Sequence, residues 1–283
     1  MAIQWPLVLF TLLTGLGVGV FSCVAVTEWL GVGEVVRMPG TITALVAMAL
    51  GGAASVFHLS HPFRGYNIVK HLDTGVGKEM LLMGITGAAV FLYALTLFIG
   101  LAGFPGKILT AVGLVSGIIL AFEMGATYVL PARPAWRTWL WAFIYAASAA
   151  ATGLFALYVW AAVFRARVEE SFIIGINKGA LIALIAQVGV VLAYLMFLAS
   201  SPSEDLVKKP ARLLKGDGAL PFWGGVVFAG MVIPMAMTIW LQVDRSTHHS
   251  LVVAGVGLVC VLLGGVAIRA LMYRLGDEID LIL

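Results

Sequence analysis

The densest group of side chains able to do chemistry runs from His58 through His61, Pro62, Arg64 and Gly65 to Asn67, and resumes at Lys78-Glu79. Long apolar runs lie on either side of it. Histidine changes charge near neutral pH, so His58 and Glu79 together make a proton acceptor pair beside hydrocarbon. Such a pair suits proton exchange with a lipid-soluble molecule. Arg64 could hold a carboxylate or polarise a carbonyl oxygen with its planar fork of donors. Pro62 and Gly65 break any helix between the two runs and let the segment fold back over its neighbours. A plainer role is open as well. His58 could simply bond a backbone carbonyl, and Glu79 could simply open a helix, where an acid is favourable.

Other chemistries find less support. His58 and His61 have a metal-ligand spacing, but Pro62 follows and no third ligand is near, so no metal site is expected. Cys23 and Cys260 sit inside apolar runs, and neither belongs to a CxxC pair. The chain is therefore not expected to ligate an iron–sulfur cluster or a structural zinc by itself. His248 and His249 fall in a turn remote from His58 and read as solvated, so a bis-histidine haem is not expected. Two charges lie deeper in apolar sequence, Glu123 and Arg269. They could meet and neutralise each other, or Glu123 could carry protons.

The elements that position these residues follow from composition. Of 283 residues 61% are hydrophobic and 11% charged, and the mean hydropathy is +1.05. That charge content is too low for an ordinary soluble domain, and the hydrophobicity is too high for a disordered one. Apolar runs fall at about 5–30, 41–59, 79–102, 107–130, 138–164, 178–200, 219–243 and 250–274. Each reaches the ~20 residues that cross a bilayer as helix. The expected fold is an all-α integral membrane protein, a bundle of eight transmembrane helices forming one domain over 1–283. An even number of spans puts both termini on one side. The first run lacks a basic leader and is too long for a signal-peptide core, so it reads as a retained span. Gly15, Gly17 and Gly19, and the alanines around 147–151, let helices pack closely in lipid. Trp5, Trp29, Trp136, Trp139 and Trp141 flank spans, as an aromatic belt does. The 201–218 segment reads as a surface loop with a short amphipathic turn.

The termini would share their side with the 60–78, 131–137 and 201–218 segments. Of 17 lysines and arginines, ten fall on that side and six on the other, with Arg269 inside the last run. The excess of positive loops favours that side as cytoplasmic, although basic residues also serve to dock partners.

Taken in order, these pieces resemble a known family. Trp5-Pro6-Leu7 opens the first span, His58-Leu-Ser-His-Pro62-Phe-Arg64-Gly-Tyr-Asn67 joins the second to the third, and Lys78-Glu79 follows. Tyr128 and Pro134-Ala-Trp136 come after the fourth span, and Arg269-Ala-Leu-Met-Tyr273 lies in the last. Together they are similar to the membrane anchor subunits of dimethyl sulfoxide reductase-type complexes, the DmsC family. Where that family carries a basic residue ahead of the span-four tyrosine, this chain has Glu123 and Thr127. The resemblance implies a quinol-oxidising anchor with no bound haem. Its partners would be an iron–sulfur electron-transfer subunit and, beyond it, a molybdopterin catalytic subunit. It implies a multi-pass protein of a bacterial or archaeal cytoplasmic membrane, serving anaerobic respiration. Carried over to this sequence, His58 and Glu79 would take protons from menaquinol, within a quinol-binding group of His58, His61, Arg64, Asn67 and Glu79. A polysulfide reductase-type (NrfD) quinone-reactive anchor shares that role. A secondary transporter or a passive tether are the rivals from other classes. Midplane charges are few here, whereas transporters gather their sites at the midplane.

Overall fold

A computed structural model describes residues 3–57, 72–101, 103–130, 132–201, 204–243 and 251–276. Among the described residues there is no strand, and eight helices are long and apolar enough to cross a membrane. They are α1 (Trp5–Leu30), α2 (Glu34–Val56), α3 (Gly75–Phe98), α4 (Phe104–Ala126), α5 (Leu140–Val163), α6 (Glu170–Ala199), α8 (Pro221–Val243) and α9 (Leu251–Leu275). A shorter helix, α7 (Glu204–Lys215), joins α6 to α8. The first half of α8, Pro221–Val232, is wound wider as a π-helix.

The centre of the bundle is α1 against α5. In each, 67% of the most apolar stretch is buried, against 28% in α3. The sequence permits this because both helices carry small residues where they cross. A Cβ on Gly153 would lie 2.1 Å from the Gly19 carbonyl carbon, and one on Gly19 would lie 1.9 Å from the Ala149 carbonyl oxygen. Only glycine allows backbones to meet so closely, and the approach replaces the hydrophobic drive that lipid cannot supply. Gly230 of α8 and Gly264 of α9 meet in the same way, a Cβ on Gly264 falling 2.2 Å from the Gly230 Cα.

Three local features depart from the sequence reading. The α1–α2 turn is tight, with Gly31 and Gly33 both at positive φ (69° and 57°), so α2 begins at Glu34 rather than near 41. Arg37, read as a loop residue, is thus helical and buried. Likewise α6 starts at Glu170, which takes Lys178 into the helix. The 201–218 segment is more than a loop with a turn. It holds the twelve-residue α7, whose Leu206 and Leu213 are buried in the bundle. The Lys209 ammonium of α7 donates to the Leu275 carbonyl at the end of α9.

Candidate functional site at one end of the bundle

Thr74 caps α3, its hydroxyl accepting from the Gly77 amide at 3.1 Å. Glu79 therefore stands in the second turn and does not open the helix as the sequence suggested. The pull of a helix N-terminus on an acid fades beyond the first turn, so that role does not account for Glu79. Its side chain is only 7% exposed, yet its neighbours Val76 and Met80 are exposed apolar residues of the same helix. A buried carboxyl thus borders a lipid-accessible surface.

Glu79 faces the end of α4. The Thr127 hydroxyl is a hydrogen-bond partner of its carboxyl. The same hydroxyl donates to the Glu123 carbonyl at 3.0 Å. Behind them lies a group of aromatic side chains. The Tyr128 and Tyr273 hydroxyls are 2.9 Å apart. The Tyr128 ring packs edge-on to Trp136 and Tyr273 and tilted to Tyr145. Tyr128 follows the end of α4, and burial pushes its phenol well above the usual range, so it remains a neutral hydrogen-bonding group. Trp136 donates its indole N–H to the Met272 carbonyl at 2.8 Å. The Arg133 guanidinium lies over the Trp136 ring and donates to the Gly276 carbonyl. The last carbonyls of α9 are thereby held by Trp136, Lys209 and Arg133, groups that suit the negative end of a helix.

Arg269 is 1% exposed and does not pair with Glu123, so that expectation is corrected. Its Nε donates to the Thr11 hydroxyl at 3.0 Å, and one terminal nitrogen donates to the Ser148 hydroxyl at 3.2 Å and the Gly265 carbonyl at 3.0 Å. Its guanidinium carbon lies 4.5 Å from the centre of the Tyr145 ring. Hydroxyls, carbonyls and a π face carry the charge instead of a carboxylate. The bond to Thr11 also places an early turn of α1 and a late turn of α9 at one end of the bundle.

Of the residues singled out in the sequence, His58, His61, Arg64 and Asn67 lie outside the described residues, as do His248 and His249. The described helices do show where the chain leaves and returns. A Cβ on Gly52 of α2 would meet the Met83 side chain of α3, and one on Gly87 would meet that of Met48. This antiparallel register brings Val56, in the last turn of α2, level with Glu79.

Sequence reasoning missed one polar centre. At the opposite end of the bundle Arg37 donates to the Glu28 carboxylate at 2.6 Å, and the Tyr93 hydroxyl donates to the same oxygen at 2.8 Å. All three are buried, on α2, α1 and α3 respectively. The signal was present: Glu28 interrupts the first apolar run, with an arginine nine residues on. Among the described residues no group of three His, Cys, Asp or Glu side chains could hold a metal ion.

The family model for the DMSO reductase anchor subunit (DmsC) matches residues 1–275. One relative is the anaerobic dimethyl sulfoxide reductase chain YnfH of Escherichia coli (strain K12). The two are 26% identical over an alignment 283 positions long that covers 96% of this chain and 94% of that one. With its eight apolar helices and a match over nearly its whole length, the chain belongs to the DMSO reductase anchor subunit family.

Proposed function

We propose that this anchor oxidises a quinol, menaquinol, at the end of the bundle that carries Glu79. Two electrons leave to an iron–sulfur subunit, which feeds a molybdopterin catalytic subunit. The setting is anaerobic respiration at a bacterial or archaeal cytoplasmic membrane. The observation that carries the reading is the position of Glu79, a buried carboxyl flanked by the exposed apolar Val76 and Met80 on the most outward-facing span. A quinol is a lipid-soluble donor of two electrons and two protons, and needs just such a border between hydrocarbon and a proton acceptor.

The quinol approaches from lipid beside α3, and one ring hydroxyl bonds His58, oriented by Arg64 or Asn67, with His61 in the same segment. Both O–H bonds break. One proton goes to the His58 imidazole and one to the Glu79 carboxylate, while the ring loses two electrons to the partner's cluster and becomes quinone. The level register of Val56 and Glu79 supports a shared site, because His58 follows the last described turn of α2 by so few residues.

The test is quinol binding by fluorescence quenching and quinol-dependent turnover, in the chain purified with its co-purifying subunits. His58→Ala should abolish saturable binding, and turnover should fall ~10²–10⁴-fold, the usual range for a lost general base. Normal turnover in that variant would overturn the assignment. Absence of binding in the wild-type complex would favour a passive tether or a transporter.

A further inference from the structure

We propose that Glu123 is the group through which Glu79 loses its proton to water during quinol oxidation, an inference that rests on the quinol reading above. Glu79 is buried, so a proton accepted there has no direct route out, and a second turnover requires that it leave. Among the described residues, one carboxyl faces it, that of Glu123.

The placement follows from how α3 and α4 meet. Thr127, at the end of α4, stands where a side chain of Gly75 would be, since a Cβ on Gly75 would lie 2.8 Å from the Thr127 hydroxyl. Glu79 is four residues into α3 from that contact, and Glu123 is four residues back along α4. At 1.5 Å per residue each lies about 6 Å deeper than the contact. The two helices are antiparallel, so the carboxyls are level on facing helices. Thr127 touches both partners, bonding the Glu79 carboxyl and donating to the Glu123 carbonyl. The two carboxyls interact electrostatically.

Among the described residues, the surroundings leave Glu123 as the exit. From α5 and α9, Glu79 is faced by Tyr145 and Tyr273, and from the segment after α4 by Tyr128. Phenols ordinarily hold their protons to about pH 10 and do not accept another near neutrality. Arg269 of α9 lies behind the tyrosines and is already a cation, its Nε and one terminal nitrogen engaged by Thr11, Ser148 and Gly265. On the approach to α3 and in its first turn, Asp73 and Lys78 are exposed. Glu123 is half-buried rather than buried, and it lies level with Glu79 on the facing helix, next in line to receive its proton. The step is one proton moving from the Glu79 carboxyl to the Glu123 carboxylate and on to water. It involves no electron beyond those already sent to the iron–sulfur partner.

Glu123 acts only through Glu79, so its variants should separate binding from turnover. In the purified complex Glu123→Gln should bind quinol with unchanged affinity and KM, while kcat falls ~10²-fold or more, the scale of lost proton transfer. Glu123→Asp should restore most of kcat. Added formate, a small proton carrier, should raise the Gln variant and leave wild type unchanged. Wild-type kcat in Glu123→Gln would overturn the proposal. So would loss of activity in both the Gln and Asp variants with no formate response, since that pattern marks a structural role. Failure of the wild-type complex to bind quinol would overturn the quinol reading itself, an outcome seen before any Glu123 variant is measured.

Discussion

Glu28 and Arg269 show two ways of keeping a charge inside an apolar bundle. Arg269 is solvated by hydroxyls and carbonyls of α1, α5 and α9, whereas Glu28 is neutralised by Arg37 and bonded by Tyr93. For the second arrangement the expected energetics are unequal. Arg37→Met leaves a buried carboxylate with Tyr93 as its remaining donor, and breaking such a pair costs about 3–5 kcal/mol. The double variant Glu28→Gln/Arg37→Met removes both charges and should be distinctly more stable than Arg37→Met alone. Unfolding midpoints of wild type, the single variant and the double variant in detergent decide this, and equal midpoints for the single and double variants would show that the charge is not what matters. At this scale the sequence was informative where it offered an unusual residue in apolar surroundings, as with Glu79, Glu123 and Arg269. It was silent on partners. The pairing of Glu28 with Arg37 depends on the Gly31–Gly33 turn, and that of Arg269 with Thr11 spans almost the whole chain.

Helix crossings depend on how near two backbones come, and glycine positions test this directly. Gly153 and Gly175 are both helical, but a Cβ on Gly153 would strike the α1 backbone, while one on Gly175 would meet nothing within 4 Å. Gly153→Ala should therefore destabilise the protein by about 1–3 kcal/mol, the usual cost of overpacking. Gly175→Ala should be neutral or stabilising by roughly 0.5–1 kcal/mol, because alanine loses less freedom in a helix. Thermal unfolding of the two variants in one detergent is the check, and equal effects would remove the crossing from the account. The existence of each span was legible, since hydropathy alone marks twenty apolar residues. The ends were less so. Hydropathy drops at Arg37 and Lys178 although the backbone is helical there, because an arginine paired with Glu28, or a lysine near the end of a span, is compatible with helix. For the same reason the sequence shows only a loop with a short amphipathic turn at α7: Lys208, Lys209 and Pro210 hide a helix whose Leu206 and Leu213 pack inward.

The whole molecule has two chemically different ends. One holds Glu79, Glu123, the tyrosines and α7, and the other holds the Glu28–Arg37–Tyr93 centre and the exposed Arg165–Arg167 turn. Several basic residues at the Glu79 end are already engaged within the chain, Arg133 and Lys209 on the final carbonyls of α9 and Arg212 with Asp217 at 3.5 Å. The Arg212 guanidinium in turn holds the exposed Asp217 carboxyl below its ordinary pKa. A surplus of positive residues at this end is thus partly structural, which weakens it as a marker of the cytoplasmic side. Electron transfer supplies a stronger constraint, because a redox partner must sit close to the donor. If quinol is oxidised near Glu79, the iron–sulfur subunit covers this end and leaves the other bare. Cysteines placed singly at Lys215 and Arg165, both exposed in the chain, should then differ in the assembled complex. A soluble maleimide should label both in the isolated chain in detergent. In the complex it should label Arg165→Cys fully and Lys215→Cys several-fold more slowly. Protection of Arg165→Cys instead would place the partner at the far end, remote from Glu79, and a site at Glu79 could not then feed it directly.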